Sequence, residues 1–380
     1  MKNQLSDIIN FIKTLYADDY IPLHRPVFKG NEKQYLVDCI DSNFVSTAGI
    51  QVEEFEKDVA LFTGSKYAVA VVNGTAALQI SLQLAGVEHD EEVITQAVSF
   101  IATCNAISYL GARPVFVDVD LDTMGMSPGA LDSFLRKNSI IRNGRTYNKT
   151  TGKRFAACCP MHTFGTPCRI REIVEICNNY GIPVVEDAAE SLGSFVENQH
   201  VGTLGKLSAV SFNGNKIITT GGGGMILTED QALATRAKHL TTTAKVPHPF
   251  MFVHDEVGYN FRLPSLNASV GRAQMEKLDE IIRIKKFIHD KYSNFFKDAK
   301  WNFFTAPDNV TSNYWLNVLF LESAAERDAF LKQSNSDGVM TRPLWGLLSN
   351  QAMFQDCQRD DLSNSQWLES HLVNIPSSVP

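Results

Sequence analysis

The residues that could do chemistry gather around one lysine. Lys216 lies in SFNGNKIITTGGGG (211–224), a short polar loop after an apolar run and ahead of four consecutive glycines. It is either a solvated loop residue or a nucleophile, since an amine desolvated near other cations loses proton affinity. The glycine run is a flexible turn or a phosphate loop. It matches neither GxxxxGK[ST] nor GxGxxG, which argues against an NTPase or a dehydrogenase. NGTAAL (73–78) is a second phosphate candidate. A helix starting there would aim amides and the positive dipole end at a dianion, with Gly74 admitting close approach and Thr75 adding a hydroxyl. The same residues also make an ordinary turn and cap. Asp187 ends IPVVED (182–187). A buried lone carboxylate is costly, so it needs a cationic partner such as a protonated pyridine nitrogen, unless it merely caps a helix. Glu190 would reach a phenolic oxygen of the same ring or serve as a first-turn acid. Phe100 would stack on that ring or be one of 23 phenylalanines in a core. With Ser211 and Asn213, these parts describe a site for a phosphate-bearing, positively charged aromatic cofactor.

Such parts must be delivered by secondary structure. Strand candidates are YAVAVV (67–72), EVITQ (92–96), RPVFVDV (113–119), FAACCPM (155–161), IPVVED (182–187), LSAVSF (207–212) and GGMILT (223–228). Several are almost wholly apolar, as strands covered on both faces are. They alternate with helical segments such as 75–86 and 167–181, which predicts a mostly parallel, doubly wound α/β sheet. Ligands of such sheets gather at the carboxyl ends of the strands, where every residue named above falls. The polar stretch 142–154 predicts an exposed loop or hairpin. Residues 1–20 form an amphipathic N-terminal helix, with Leu5, Ile8, Ile9, Ile12 and Leu15 at helical spacing. Residues 21–260 form the large domain and 261–380 a smaller α+β C-terminal domain. Within the latter, one long helix pattern (265–299) precedes YWLNVLFL (314–321), a further helix (323–334) and a polar tail.

Composition narrows the classes. A net charge of −7 argues against a nucleic-acid partner, which would call for a basic patch. No run of eighteen apolar residues spans a membrane, and the N-terminus lacks a signal-peptide core. Seven cysteines, two of them adjacent and none in CxxC, suit neither a disulfide framework nor a zinc site, and point to a reducing cytoplasm. His254-Asp255-Glu256 reads as a solvated loop, so no metal is expected.

NGTAAL, SFIAT (99–103), EDAAESLGS (186–194) and SF-three residues-K before TTGGGG, in this order, resemble the DegT/DnrJ/EryC1/StrS family of sugar-nucleotide aminotransferases from about residue 20 onward. The resemblance implies a fold type I pyridoxal phosphate (PLP) enzyme with a seven-stranded sheet in the large domain. It makes Lys216 the Schiff-base lysine and Gly74, Thr75 and Ala76 the phosphate turn. Phe100 becomes the ring-stacking aromatic and Asp187 the pyridine-nitrogen partner, with Glu190 where relatives often carry Gln or His. Ser211 and Asn213 join the cofactor loop. Asn260, in GYNFRL (258–263), matches an asparagine that reaches the neighbouring subunit's cofactor, so a homodimer with shared sites is implied. Segments 21–49 and 240–264 most resemble the branch that aminates C4 of UDP-4-keto-6-deoxy-N-acetylglucosamine in the legionaminic acid and bacillosamine pathways, with L-glutamate as donor and 2-oxoglutarate as by-product. The alternatives are a GDP-linked 4-keto-6-deoxy sugar, as in perosamine-type enzymes, and a sugar dehydratase. Some dehydratases of the family replace the lysine by histidine, so Lys216 favours transamination. Substrate candidates are Ser46 and Thr47 in the small-residue loop 45–49, His162, Lys245 and Arg262, each equally readable as solvated or structural.

Overall fold

The computed structural model describes residues 4–16, 18–47 and 49–380. The large sheet has seven strands: β1 (Tyr67–Val71), β2 (Glu92–Gln96), β3 (Arg113–Val117), β4 (Phe155–Cys159), β5 (Val185–Asp187), β6 (Leu207–Ser211) and β7 (Gly224–Thr228). Their spatial order is β1-β7-β6-β5-β4-β2-β3. All run parallel except β7, which is antiparallel to both neighbours. β5 joins β4 through the Cys158/Val184 and Met161/Asp187 bridges, and the Asp187 N–H donates to the Pro160 carbonyl at 2.9 Å. The expected strand 182–187 is cut to its last three residues. Pro183 has no N–H to give a ladder and lends only its carbonyl, to the Cys158 amide.

Helices cover both faces, as the apolar strands require. The helices α1 (Leu5–Leu15), α2 (Glu32–Asp41) and α3 (Ile50–Thr63) precede the sheet. α4 (Gly74–Ala85), α5 (Ile101–Tyr109), α6 (Pro128–Asn138), α7 (Ile170–Asn179) and α8 (Gln231–Thr241) follow its strands. α4, α5 and α8 bury Ile80, Ile107 and Leu240 against one face, while α6 and α7 bury Leu131, Phe134 and Ile173 against the other. Local chemistry sets the ends: Asn73 and Asp230 accept amide hydrogen bonds at the starts of α4 and α8, and Gly86 closes α4 in a left-handed turn at φ 97°. The polar stretch before β4 is a hairpin of Ser139–Arg142 with Arg145–Asn148. Its Asn143-Gly144 turn has positive φ at both residues, which matches the twist of the flanking strands.

The C-terminal part corrects two expectations. The long helix pattern breaks at Glu276–Lys277 into α9 (Ser265–Met275) and α10 (Leu278–Phe296). The break lets α9 pack on α2 and α3 while α10 faces α1. Residues 342–380 are no polar tail: they contribute α12 (Ser363–His371), after α11 (Ala324–Ser336), and the central strand of a second sheet. That antiparallel sheet comprises β8 (Asn302–Phe303), β9 (Asn317–Phe320), β10 (Arg342–Pro343) and β11 (Leu372–Ile375), in the order β8-β9-β11-β10. All four residues of β11 are buried. Ile8, Ile9 and Ile12 of α1 pack with Ile288 and Tyr292 of α10 and Val373 and Ile375 of β11. No described helix is long and apolar enough to cross a membrane. All seven cysteines are free and buried.

Candidate active site

A cavity of about 390 Å³ opens at the carboxyl ends of β1, β5 and β6, walled on its far side by Trp315 and Trp345. Gly74, Thr75, Phe100, Asp187, Glu190, Ser211, Asn213 and Lys216 all line it. Residues scattered over more than 140 positions therefore converge as the sequence implied.

The end of the cavity at the start of α4 is built by close backbone approach. Asn73 is extended, and its Oδ1 accepts the Ala76 N–H at 2.8 Å. Ala76 is thereby committed to the helix cap and does not line the cavity, which leaves Gly74 and Thr75 as lining residues with first-turn amides that lack intrahelical acceptors. A side chain at Gly74 would put its Cβ 2.9 Å from Ser211 Cβ, and one at Gly224 would sit 2.4 Å from the Asn73 carbonyl oxygen. Gly224 is thus a packing position that lets the start of β7 lie against the Asn73–Gly74 turn.

The opposite end holds the acids and the lysine. Asp187 is 2 % exposed; its Oδ2 accepts from Thr103 Oγ1 at 2.6 Å and its Oδ1 from the Ala189 N–H at 3.2 Å. Burial raises its proton affinity despite the Thr103 hydrogen bond, so the carboxylate is short of a cation. Lys216 Nζ lies 3.1 Å from Glu190 Oε1 and 4.3 Å above the centre of the Trp315 ring. Glu190 Oε2 accepts the Phe164 N–H at 3.0 Å. Phe164 adopts φ 56°, a left-handed conformation unusual for phenylalanine, to aim that amide. Burial pushes the Glu190 carboxyl up to about 7, against the opposing pull of Lys216. Phe100 heads α5, is half exposed, and meets Trp345 edge-on at 6.1 Å, leaving a face to the cavity.

Other candidates lie elsewhere. His162 is fully buried: Nε2 bonds Glu186 at 3.0 Å and Nδ1 accepts the Cys168 N–H at 3.2 Å. It is corrected from a substrate contact to an internal brace, since both ring nitrogens are spent. Ser46 and Lys245 are exposed and Thr47 and Arg262 partly so, none of them on the cavity of this chain. The Ser46 carbonyl accepts the Ser265 N–H, Lys245 lies over the Phe252 ring, and Arg262 donates to the exposed Asn260 at 3.0 Å. Ala48 of the same loop lies outside the described residues. His239, Asp255 and Glu256 converge within 4.8 Å, but Arg236 already pairs with both Glu256 oxygens. Sequence reasoning gave no role to Thr103, Trp315 and Trp345. The tryptophans carried no signal, because their approach depends on how the C-terminal segments pack.

What fits here is a flat cationic ring with a phosphate at one end, a carboxylate for its ring nitrogen and a lysine for its reactive carbon. On a sheet of this order that defines a fold type I PLP enzyme. Residues 26–380 match the DegT/DnrJ/EryC1/StrS aminotransferase family, and the chain belongs to that family. EpsN of Bacillus subtilis (strain 168), which carries the name of a pyridoxal phosphate-dependent aminotransferase, is 37% identical over 88% of this chain and 84% of its own. GDP-perosamine synthase of Escherichia coli O157:H7 is 34% identical over 94% of each chain. The crystal structure of the aminotransferase TlmJ from Streptoalloteichus hindustanus superposes with a TM-score of 0.85 at 26% identity, covering 94% of this chain and 93% of that one. The protein is a PLP-dependent aminotransferase.

Proposed function

We propose that the enzyme transfers an amino group from L-glutamate to C4 of a nucleotide-linked 4-keto-6-deoxy sugar. The observation that carries the reaction is the single cavity shared by Lys216, Asp187 and the α4 start. GDP is the first choice of nucleotide, because of the GDP-perosamine synthase aligned over almost the whole chain. This reverses the order expected from sequence. The UDP-linked N-acetyl sugar stays as the second reading, carried by segments 21–49 and 240–264.

Bound PLP supplies the electron sink that lets a proton leave the carbon next to the transferred nitrogen. The protein's own groups do the rest. Lys216 would hold the cofactor, and its Nζ is placed to serve as the base that takes the proton from the donor Cα and as the acid that returns one. Glu190, 3.1 Å from that Nζ, holds the amine in place and offers a carboxyl able to share its proton near neutral pH. Asp187 would favour the protonated form of the ring nitrogen. Gly74, Thr75 and Ser211 would hold the phosphate, and Phe100 would lie against the ring. The two tryptophans and Phe164 exclude water from the side facing Lys216.

The working unit we propose is a homodimer with shared sites. Supporting it, the hairpin of Lys245–Val246 with Val253–His254 holds out Phe250 and Phe252, each 83% exposed, with Val257 beyond it at 86%. An apolar projection of this kind fits a subunit interface. Asn260, Lys245 and Arg262 stand on or beside it, where they would serve a neighbour's cavity. The test incubates purified enzyme with L-glutamate and either GDP-4-keto-6-deoxymannose or UDP-4-keto-6-deoxy-N-acetylglucosamine, reading 2-oxoglutarate, product mass and the configuration at C4 by NMR. Release of 2-oxoglutarate with an aminated GDP-sugar is expected; no release with either sugar would refute the proposal.

A further inference from the structure

Lys216 is held on one side by a residue from far along the chain. The Trp315 indole N–H donates at 2.7 Å to the Asn215 carbonyl, which belongs to the peptide bond leading into Lys216. Lys216 Nζ lies 4.3 Å from the centre of the same ring, and Glu190 Oε1 stands 3.1 Å from that nitrogen. One side chain thus meets both the backbone and the amine of the lysine. Trp315 belongs to none of the motifs around the cavity and lies just ahead of β9.

The ring has little freedom of its own. Trp315 is 3% exposed, and its backbone is tied at both polar groups. Its N–H donates to Asn313 Oδ1 at 2.9 Å, and its carbonyl accepts from Lys285 Nζ at 3.1 Å. Asn313 is fully buried, and its Nδ2 donates to the Glu190 and Leu192 carbonyls at 2.8 and 2.9 Å. This one amide therefore joins the segment carrying Glu190 to the segment carrying Trp315, and the side chains of both meet Nζ. Tyr314, between Asn313 and Trp315, takes φ 55°, a left-handed conformation that costs energy and persists only where neighbours enforce it. Packing leaves no slack: a side chain at Gly165 would put its Cβ 1.9 Å from Asn313 Oδ1.

Such a brace answers a physical need of the lysine. A lysine amine rides on a flexible four-carbon stem, and a reacting group misplaced by about 1 Å can lose roughly a hundredfold in rate. An aromatic face attracts the amine while it is protonated. We propose that Trp315 is the positioning residue of Lys216: its indole N–H fixes the peptide before the lysine, and its ring face holds the free ammonium beside Glu190. The assignment rests on the reading of Lys216 as the base of the reaction.

Trp315→Phe keeps a ring and removes the N–H. In the full-length chain without PLP, amides of 213–217 should exchange with deuterated solvent about fivefold faster, the order of one lost hydrogen bond, while β6 stays unchanged. In the PLP-loaded enzyme the glutamate half-reaction should slow roughly tenfold, with the apparent Kd for glutamate within about twofold. Trp315→Leu, which also removes the ring face, should cost about a further fivefold. The same substitution is then made in Lys216→Ala, with methylamine supplied as base and 2-oxoglutarate as the readout. Adding Trp315→Phe there should cost less than about twofold, because the residue it acts through is gone. Thermal midpoints report folding. The assignment is overturned by unchanged loop exchange in Trp315→Phe, by a loss carried in the glutamate Kd, by Trp315→Leu no slower than Trp315→Phe, or by an equal loss with and without Lys216. A Lys216→Ala enzyme that turns over freely without added amine would instead sink the reading of Lys216 as the base, and this assignment with it.

Discussion

Glu190 offers the most quantitative test of the site. Its carboxyl is fully enclosed, hydrogen-bonded to Lys216 Nζ and the Phe164 amide, and pushed from its ordinary 4.5 to about 7, burial outweighing the pull of Lys216. A carboxyl raised on folding binds its proton more tightly in the native than in the unfolded chain. Native stability therefore falls as pH rises between 4.5 and 7, and the penalty is complete above the folded value. At ~1.4 kcal/mol per tenfold change in proton affinity, the cost is about 3 kcal/mol at pH 8 and under about 1 kcal/mol at pH 5. Glu190→Gln keeps the shape and removes the titration. In apo protein at fixed concentration, urea unfolding followed by tryptophan fluorescence should show the variant gaining about 2–3 kcal/mol on the wild type between pH 5 and pH 8. Wild type and variant with parallel pH profiles would refute the reasoning. So would a wild type that gains on the variant as pH rises, because that would place the ionised Glu190–Lys216 pair below the neutral carboxyl in energy.

Lys216→Ala should abolish the cofactor's visible absorbance and lower turnover at least roughly 10³-fold, with unchanged circular dichroism. Asp187→Asn should fold normally, since its amide oxygen can still accept the Ala189 N–H and its NH2 can donate to the Thr103 hydroxyl, turned to accept. It should slow both half-reactions by roughly 10²–10⁴ in stopped-flow absorbance, as the ring nitrogen loses its anion. Gly224→Ala would drive a methyl against the Asn73 carbonyl, so a loss of about 1–3 kcal/mol and faster PLP release on dilution are expected from denaturant midpoints and cofactor off-rates. Phe250→Ser with Phe252→Ser should shift the proposed dimer toward monomer in sedimentation velocity and cut activity in proportion.

Much of this protein was legible in order along the chain. Apolar strands alternating with amphipathic helices are a local signal, and all seven strands of the large sheet fall within the segments expected of them. Lys216, Asp187, Phe100 and the NGT turn could be named because each follows a strand at the edge where such sheets bind ligands. Where a local pattern had two meanings, sequence alone did not decide. His162 also follows a strand, yet β4 and β5 pair so that its ring turns inward to Glu186. The glycine run read as phosphate loop or turn, and only the structure shows that a side chain at Gly224 would put its Cβ 2.4 Å from the Asn73 carbonyl oxygen, a packing demand at that position. One helix became two because α9 and α10 have different partners, and a polar tail became the centre of a sheet because Leu372–Ile375 had β9 and β10 to pair with. Trp315 lies against Lys216 and Trp345 shares its cavity, both delivered by C-terminal segments far along the chain. Chemistry that depends on one residue's type and its place after a strand is written locally. Chemistry that depends on which side chains share a cavity exists only once distant segments have packed.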